Sequence, residues 1–406
     1  MRRRGTIEAV AWIAVAAGTV WAREPAASPS AFLYEPPDCR PTSARNVIFM
    51  VPDGMGLADV TAARIFKNGP GGDPLNLEKL QFVGYERNWS ANSAVTDSAA
   101  AASAWACGEK FDNGVLCVRH DGSTPLSLLE FARDRGKRTG LVATSTITHA
   151  TPAAFGAHVR WRDCETEIAR QYVEKTRPDV ILGGGTTTFR PSWPDACGTG
   201  GDYVAKAVAA GYRFVTTSAE LSVAVTSGAS RILGLFAPGA MTPENQRPAG
   251  STEPRLKEMA AAALATLERA PGGFFLLVEG SQIDFANHAN DEAWQLAELL
   301  AFDETVGMVL DWLAADARRG GETLVIVAPD HETGGYGFDG PYGFLPGPGQ
   351  PVESIWATGG HTGTDVPVWS QGPGAWRLAR PIDNTEVYGA ARDAMSRPVC
   401  WLGPPE

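Results

Sequence analysis

Three apolar runs, each ending in a carboxylate or an imidazole, constrain this chain most. They are N-V-I-F-M-V at Asn46–Val51, followed by Pro52-Asp53-Gly54; G-F-F-L-L-V-E at Gly273–Glu279; and T-L-V-I-V-A at Thr323–Ala328, followed by Pro329-Asp330-His331. Short runs with no polar alternation suit strands buried on both faces, and such strands belong to parallel sheets covered by helices. Further strand patterns at Arg138–Thr144, Val180–Leu182, Tyr212–Val215 and Arg231–Phe236 alternate with helical ones. The helical stretches include Asp59–Phe66, Leu126–Arg135, Thr166–Lys175, Tyr203–Ala210, Glu253–Glu268, Asp291–Ala315 and Asn384–Ala394. Phe82–Tyr85 reads as a short edge segment, and Ser354–Val368 as a Gly-rich loop that carries His361. The expected fold is α/β: a doubly wound, mostly parallel central sheet with helices on both faces.

In such a sheet the chemistry collects at the carboxyl ends of the strands. Asp53, Thr151, Glu279, Asp284, His288, Asp330, His331 and His361 all fall just after expected strands or in loops close behind them. They should therefore converge. Asp284 and His288 are four apart in D-F-A-N-H, close enough to turn both side chains onto one ion. Imidazole nitrogen with carboxylate oxygen is the donor set of zinc, whereas Thr151 and Glu279 are hard oxygen donors suited to Mg²⁺. Two metals about 4 Å apart can clamp an in-line phosphoryl displacement. The triplet Gly183-Gly184-Gly185 is a strand exit; no Lys-Ser/Thr follows it to make a phosphate loop.

A second feature stands at Ala94–Trp105, A-V-T-D-S-A-A-A-A-S-A-W. Alanine is the best helix former, so Asp97-Ser98-Ala99 sits at the start of a helix. There free N–H groups and the positive dipole end favour an anion and a lowered hydroxyl pKa. Asp97 or Ser98 also serves as the cap of that helix.

With 406 residues the chain can bury a large core, and its net charge of −11 supplies no basic face for nucleic acid. Arg2-Arg3-Arg4, the apolar Ala9–Val20 and Val20-Trp21-Ala22 read as a signal peptide over residues 1–22, so the protein is expected to be exported, periplasmic or secreted. The Arg run hints at the twin-arginine route. A Pro- and Ser-containing leader over 23–41 precedes one catalytic domain over 42–406, and no apolar run in the mature region is long enough for a membrane span. Six Cys behind an export signal suggest disulfides. The preferred pairs are Cys107–Cys117, Cys164–Cys197 and Cys39–Cys400.

The chain resembles the alkaline phosphatases. The matching pieces are P-D-G-M-G at Asp53, T-D-S-A at Ser98, H-A-T-P-A-A at Thr151, V-E-G-S-Q-I-D at Glu279–Asp284, D-H at 330–331 and H-T-G-T-D-V-P-V at His361. They run in the family's order across nearly the whole chain. The resemblance implies hydrolysis of phosphate monoesters at alkaline pH through a phosphoserine on Ser98. It implies one zinc held by Asp284, His288 and His361, a second by Asp53, Asp330 and His331, and a magnesium by Asp53, Thr151 and Glu279. Counting on from T-P-A-A, the family's phosphate-binding arginine falls on Arg162, with Arg160 the neighbour that spacing disfavours. The family's habit suggests a homodimer.

Two positions depart from some bacterial members: His149 stands where they carry Asp, and Phe285 where they carry Lys. An imidazole at 149 can itself ligate a borderline metal, which bears on whether the third site takes magnesium or zinc. Ser98 is followed by four alanines rather than x-Pro-x-Arg, which excludes the usual sulfatase nucleophile. Ser98 with Arg162 favours monoesters over the phosphodiesters of the same superfamily. An exported, inactive metal- or phosphate-binding protein is the remaining alternative.

If the cysteines pair as expected, thiol titration of the denatured, unreduced protein will find essentially no free thiol. Two or more free thiols per chain would show that the pairing fails.

Overall fold

The computed structural model describes residues 40–190, 197 and 200–403. The residues read as signal peptide and most of those read as leader lie outside the described residues, as does Cys39 of the expected Cys39–Cys400 pair. Arg40 and Pro41, read as the end of the leader, belong to a short strand Arg40–Thr42 antiparallel to Val399–Trp401. Cys107–Cys117 and Cys164–Cys197 are disulfides, with Cα atoms 6.4 and 5.3 Å apart.

The central sheet has ten strands among the described residues. In chain order these are β1 (Asn46–Pro52), β2 (Phe82–Arg87), β3 (Arg138–Thr146), β4 (Val180–Gly184), β5 (Arg213–Val215), β6 (Ile232–Leu235), β7 (Phe274–Gly280), β8 (Thr323–Val327), β9 (Val366–Gln371) and β10 (Pro381–Asp383). Their spatial order is β10-β2-β9-β8-β1-β7-β3-β4-β6-β5. Every neighbouring pair is parallel except those of β9, which runs antiparallel to both β2 and β8. The mostly parallel sheet matches the expectation from sequence.

The apolar runs behave as two-faced strands. Along β1, Val47, Phe49 and Val51 join the core on one face, while Ile48 and Met50 join the core on the other. The first core packs Phe49 against Trp105 and Phe155, with ring centroids 5.0 and 5.7 Å apart. The second packs Met50 and Val278 with the apolar stripe of the long helix Glu292–Ala314. Alternation is invisible in the sequence because both faces want apolar side chains.

Two features differ from the reading of the sequence. Phe82–Arg87 is not an edge strand, because β10 pairs with its far side. Within the segment read as a loop, Glu353–Trp356 and His361–Thr362 are strands, and Val366 opens β9 inside the sheet. A proline in a strand argues against a central place, and Pro367 hides β9 for that reason. The structure accommodates Pro367 where β9 has only β2 beside it; pairing with β8 begins at Trp369.

The register of β1, β7 and β8 sets the site. Val51 pairs with Glu279, and Met50 pairs with Val327. Asp53, Glu279 and Asp330 thus emerge side by side at one edge, where β1 has neighbours formed much later in the chain on both sides.

Away from that edge, Glu298 of the long helix is buried and accepts from the Glu244 N–H at 2.8 Å and the Trp294 indole N–H at 3.1 Å. Burial, opposed by those donors and by Arg247 and reinforced by Glu244, pushes its carboxyl up to about 7. The folded state then keeps a proton that the unfolded chain gives up near pH 4.5. The stability gained by holding that proton is fully present below this value, falls as pH rises through about 7, and changes no further above. Glu298→Gln should flatten that fall, on the order of 3 kcal/mol, in the difference between wild-type and variant urea-unfolding curves from pH 4.5 to 8. Parallel pH profiles for the two proteins would overturn it.

Candidate active site

Ser98 begins the helix Ser98–Cys107, whose ten residues are all buried. Small side chains allow that burial, because alanine has nothing beyond Cβ to hold the helix away from the sheet and from the neighbouring helix Ala150–Gly156. Asp97 is the N-cap: its Oδ1 accepts from the Ala100 N–H at 2.9 Å. The other oxygen, Oδ2, accepts from the Gly114 N–H at 2.9 Å and from Arg162 Nη1 at 3.0 Å. Asn113 Oδ1 in turn accepts from the Asp97 N–H at 3.0 Å. The loop that follows the helix therefore folds back, across the Cys107–Cys117 bridge, onto the helix start. Asp97 is both cap and arginine anchor; the sequence suggested only the first role.

Ser98 Oγ lies 3.2 Å from His331 Nε2. The same nitrogen is 3.1 Å from Asp330 Oδ2 and 3.8 Å from Asp53 Oδ1. Asp53, Asp330 and His331 are fully buried. Their donor atoms lie within 4.8 Å of one another.

A second group forms around Asp284, on the helix Gln282–His288. His288 Nε2 is 3.4 Å and His361 Nε2 3.7 Å from Asp284 Oδ1, and the two ring nitrogens are 3.1 Å apart. His361 reaches this place because Thr333 pairs with it across a two-residue ladder. His288 Nδ1 lies 2.7 Å from the Gly359 carbonyl and His361 Nδ1 2.9 Å from that of Thr96. A carbonyl can only accept, so each Nδ1 is the N–H and each Nε2 presents a lone pair. Two lone pairs facing each other across 3.1 Å suit a shared cation. His288 is 39% exposed, against 16% for His361 and 6% for Asp284, so this side of the site opens to solvent.

The third group joins Asp53 and Glu279 to His149, with donor atoms again within 4.8 Å. Thr151 is fully buried in the first turn of the helix that His149 caps, two residues after it. Among the described residues, both oxygens of Asp53 and of Glu279, Asp330 Oδ2, Thr151 Oγ1 and His149 Nδ1 are buried without a hydrogen-bond partner. Uncompensated buried carboxylates cost several kcal/mol each. A donor set of oxygens with imidazole nitrogen, orphaned at one point, fits divalent cations.

The electrostatics agree. Burial, then the carboxylates of Asp330, Asp284 and Glu279, raise Asp53 well above the usual range. Burial lifts Glu279 to about 7. Burial also works on Asp330, but the His331 ring beside it outweighs this and holds the carboxyl low. His331 is shifted up, since Asp330 overcomes the effect of burial. Burial, and then Arg162, push His149 down to about 3, which leaves its ring neutral.

The structure thus brings together Ser98, Arg162, Asp53, His149, Thr151, Glu279, Asp284, His288, Asp330, His331 and His361. Arg160 turns elsewhere, its guanidinium 3.4 Å from the His120 carbonyl. Sequence reasoning missed Thr333, whose hydroxyl donates to Asp284 Oδ1 at 2.6 Å and lies 3.2 Å from His331 Nδ1. Its signal was a hydroxyl two residues after a strand-end His, on the same face by the period of two.

The alkaline phosphatase family profile matches residues 44–353. The chain belongs to the alkaline phosphatase family. It is 31% identical to alkaline phosphatase 3 of Bacillus subtilis, over 94% of both chains. It is 36% identical to streptomycin-6-phosphate phosphatase of Streptomyces griseus, over 87% of this chain and 91% of the relative. Its fold matches the alkaline phosphatase of the Antarctic bacterium TAB5 with a TM-score of 0.77 and 30% identity, over 88% of this chain and 99% of that one. The phosphatase is a hydrolase of phosphate monoesters, in a family of metal-dependent enzymes.

Gly54 separates two of these groups. Its φ is +75°, and a Cβ added there would stand 2.6 Å from Asp284 Cα and 2.8 Å from Asp284 Oδ1. Only glycine keeps Asp53 and Asp284 this close. Gly54→Ala should cost about 1–3 kcal/mol of stability. It should also weaken divalent-metal binding at this group by about tenfold or more in chelator competition, because Asp284 must move. Unchanged metal affinity in a folded Gly54→Ala protein would contradict this.

Proposed function

We propose that the phosphatase transfers the phosphoryl group to Ser98 and then to water. The observation that carries this is Ser98 Oγ at a buried helix start, 3.2 Å from His331 Nε2, with Arg162 tied to the same helix start through Asp97. The Ser98 oxygen attacks phosphorus, the bond to the leaving oxygen breaks, and a phosphoserine forms. Water then attacks that phosphorus, the Ser98 oxygen leaves, and inorganic phosphate is released. Arg162 offers its remaining N–H groups to two phosphate oxygens, while the N–H groups of the helix start face the same charge.

Asp284, His288 and His361 are proposed to hold one zinc, Asp53, Asp330 and His331 a second, and Asp53, Thr151 and Glu279 a magnesium, with His149 at the edge of that third site. Bound there, the cations would neutralise the carboxylates, lower the pKa of the Ser98 hydroxyl and polarise the phosphate ester. Structures of two TAB5 variants, each with one histidine replaced by a carboxylate, are described as holding magnesium in an M3 site. The solvent-open side at His288 suits departure of a leaving alcohol.

The reading includes export and assembly as a homodimer. Two disulfides suit an oxidising compartment, and no helix among the described residues is long and apolar enough to cross a membrane.

With a chromogenic monoester, Ser98→Ala should lower kcat by about a thousandfold or more. It should also abolish the acid-trapped phosphoserine formed from labelled substrate. Chelation should silence the wild type, and zinc with magnesium should restore it. A normal rate in Ser98→Ala, or activity in metal-free protein, would end the proposal; faster turnover of a diester would move it to phosphodiesters.

A further inference from the structure

His149 has one lone pair and two neighbours that could use it. One nitrogen of its ring lies within 4.8 Å of carboxylate oxygens of Asp53 and Glu279, and Phe285 stands edge-on to the ring, centroids 5.8 Å apart. Backbone bonds fix the ring's origin: the His149 N–H donates to the Thr146 carbonyl at 2.9 Å, and the His149 carbonyl accepts from the Ala153 N–H at 3.0 Å. Nε2 stands 3.0 Å from Arg162 Nη2. A guanidinium nitrogen only donates, so Nε2 is the acceptor. A neutral imidazole whose Nε2 accepts must carry its hydrogen on Nδ1. That Nδ1 is buried without a hydrogen-bond partner. With Nε2 engaged by Arg162, the ring has no lone pair left for a cation. It cannot ligate a cation of the third site and hold Arg162 at the same time.

We propose that His149 is a positioning residue for Arg162 rather than a ligand of the third cation. It fixes Nη2 as Asp97 fixes Nη1, so both ends of the fork are anchored. Asp53, Thr151 and Glu279 remain as the protein ligands of the third site. The inference rests on the proposed roles of Arg162 and of the third site. It gives the departure at position 149 a function: where a carboxylate there would orient water around magnesium, the imidazole ties the third site to the arginine.

The decisive measurement is the tautomer of His149 in the zinc- and magnesium-loaded enzyme, read from long-range proton–nitrogen correlations of ¹⁵N-labelled protein. The chain has six histidines, and the His149 signals are those that vanish in His149→Gln. A protonated Nδ1 with an unprotonated Nε2 is expected. A protonated Nε2, with Nδ1 shifted as a metal ligand, would overturn the proposal.

A second arm measures binding of inorganic phosphate by calorimetry in His149→Ala, Arg162→Ala and the double variant. His149→Ala should weaken phosphate about five- to tenfold, and the double variant should bind no worse than Arg162→Ala, because one side chain acts through the other. Losses that multiply in the double variant would refute the positioning role. If Arg162→Ala binds phosphate normally, the role of Arg162 falls, while the nitrogen spectra still decide that of His149.

Discussion

Mutual repulsion among four carboxylates is the constraint on which the rest of this structure turns. Asp53, Glu279, Asp284 and Asp330 are held together in a buried pocket, and Arg162, the cation beside them, is already engaged by Asp97. Nothing in the local chain favours such an arrangement. It persists because three parallel strands in strict register, each packed on both faces, leave their ends no freedom to spread. The apolar cores are the scaffold that forces anions together, and the imidazoles and hydroxyls around them complete a donor set that divalent cations satisfy.

Much of this was legible in the sequence, for physical reasons. A buried parallel strand announces itself as an unbroken apolar run, and the residue that ends the run is at the carboxyl edge by construction. Asp53, Glu279, Asp330 and His331 could be placed together on that ground. Asp284 and His288 followed from helical spacing. His361 was the harder case. It is carried to the site by a two-residue ladder with Glu332–Thr333, too short to leave a pattern, and the strand after it is masked by Pro367.

What the sequence concealed were contacts whose meaning depends on direction. Asp97 before an alanine run signals a cap, but a carboxylate has two oxygens, and only the folded chain shows that the second grips Arg162. His149 stands two before Thr151, and only the folded chain shows its Nε2 3.0 Å from Arg162 Nη2. That contact is settled by packing between helix starts, and periodicity carries no trace of it. Gly54 likewise looked like a turn glycine, whereas the space it leaves free is taken by Asp284.

The bridge between Cys107 and Cys117 has a bearing on how the site comes into being. The helix that carries Ser98 can form from its own alanines and its own cap. The segment that reaches back to grip Asp97, through Asn113 and Gly114, lies between the two cysteines. Oxidation turns helix end and returning loop into a closed covalent ring, and two residues within that ring, Asn113 and Gly114, hold Asp97. The bridge thus constrains, from the far end of the helix, the loop that steadies the carboxylate gripping Arg162.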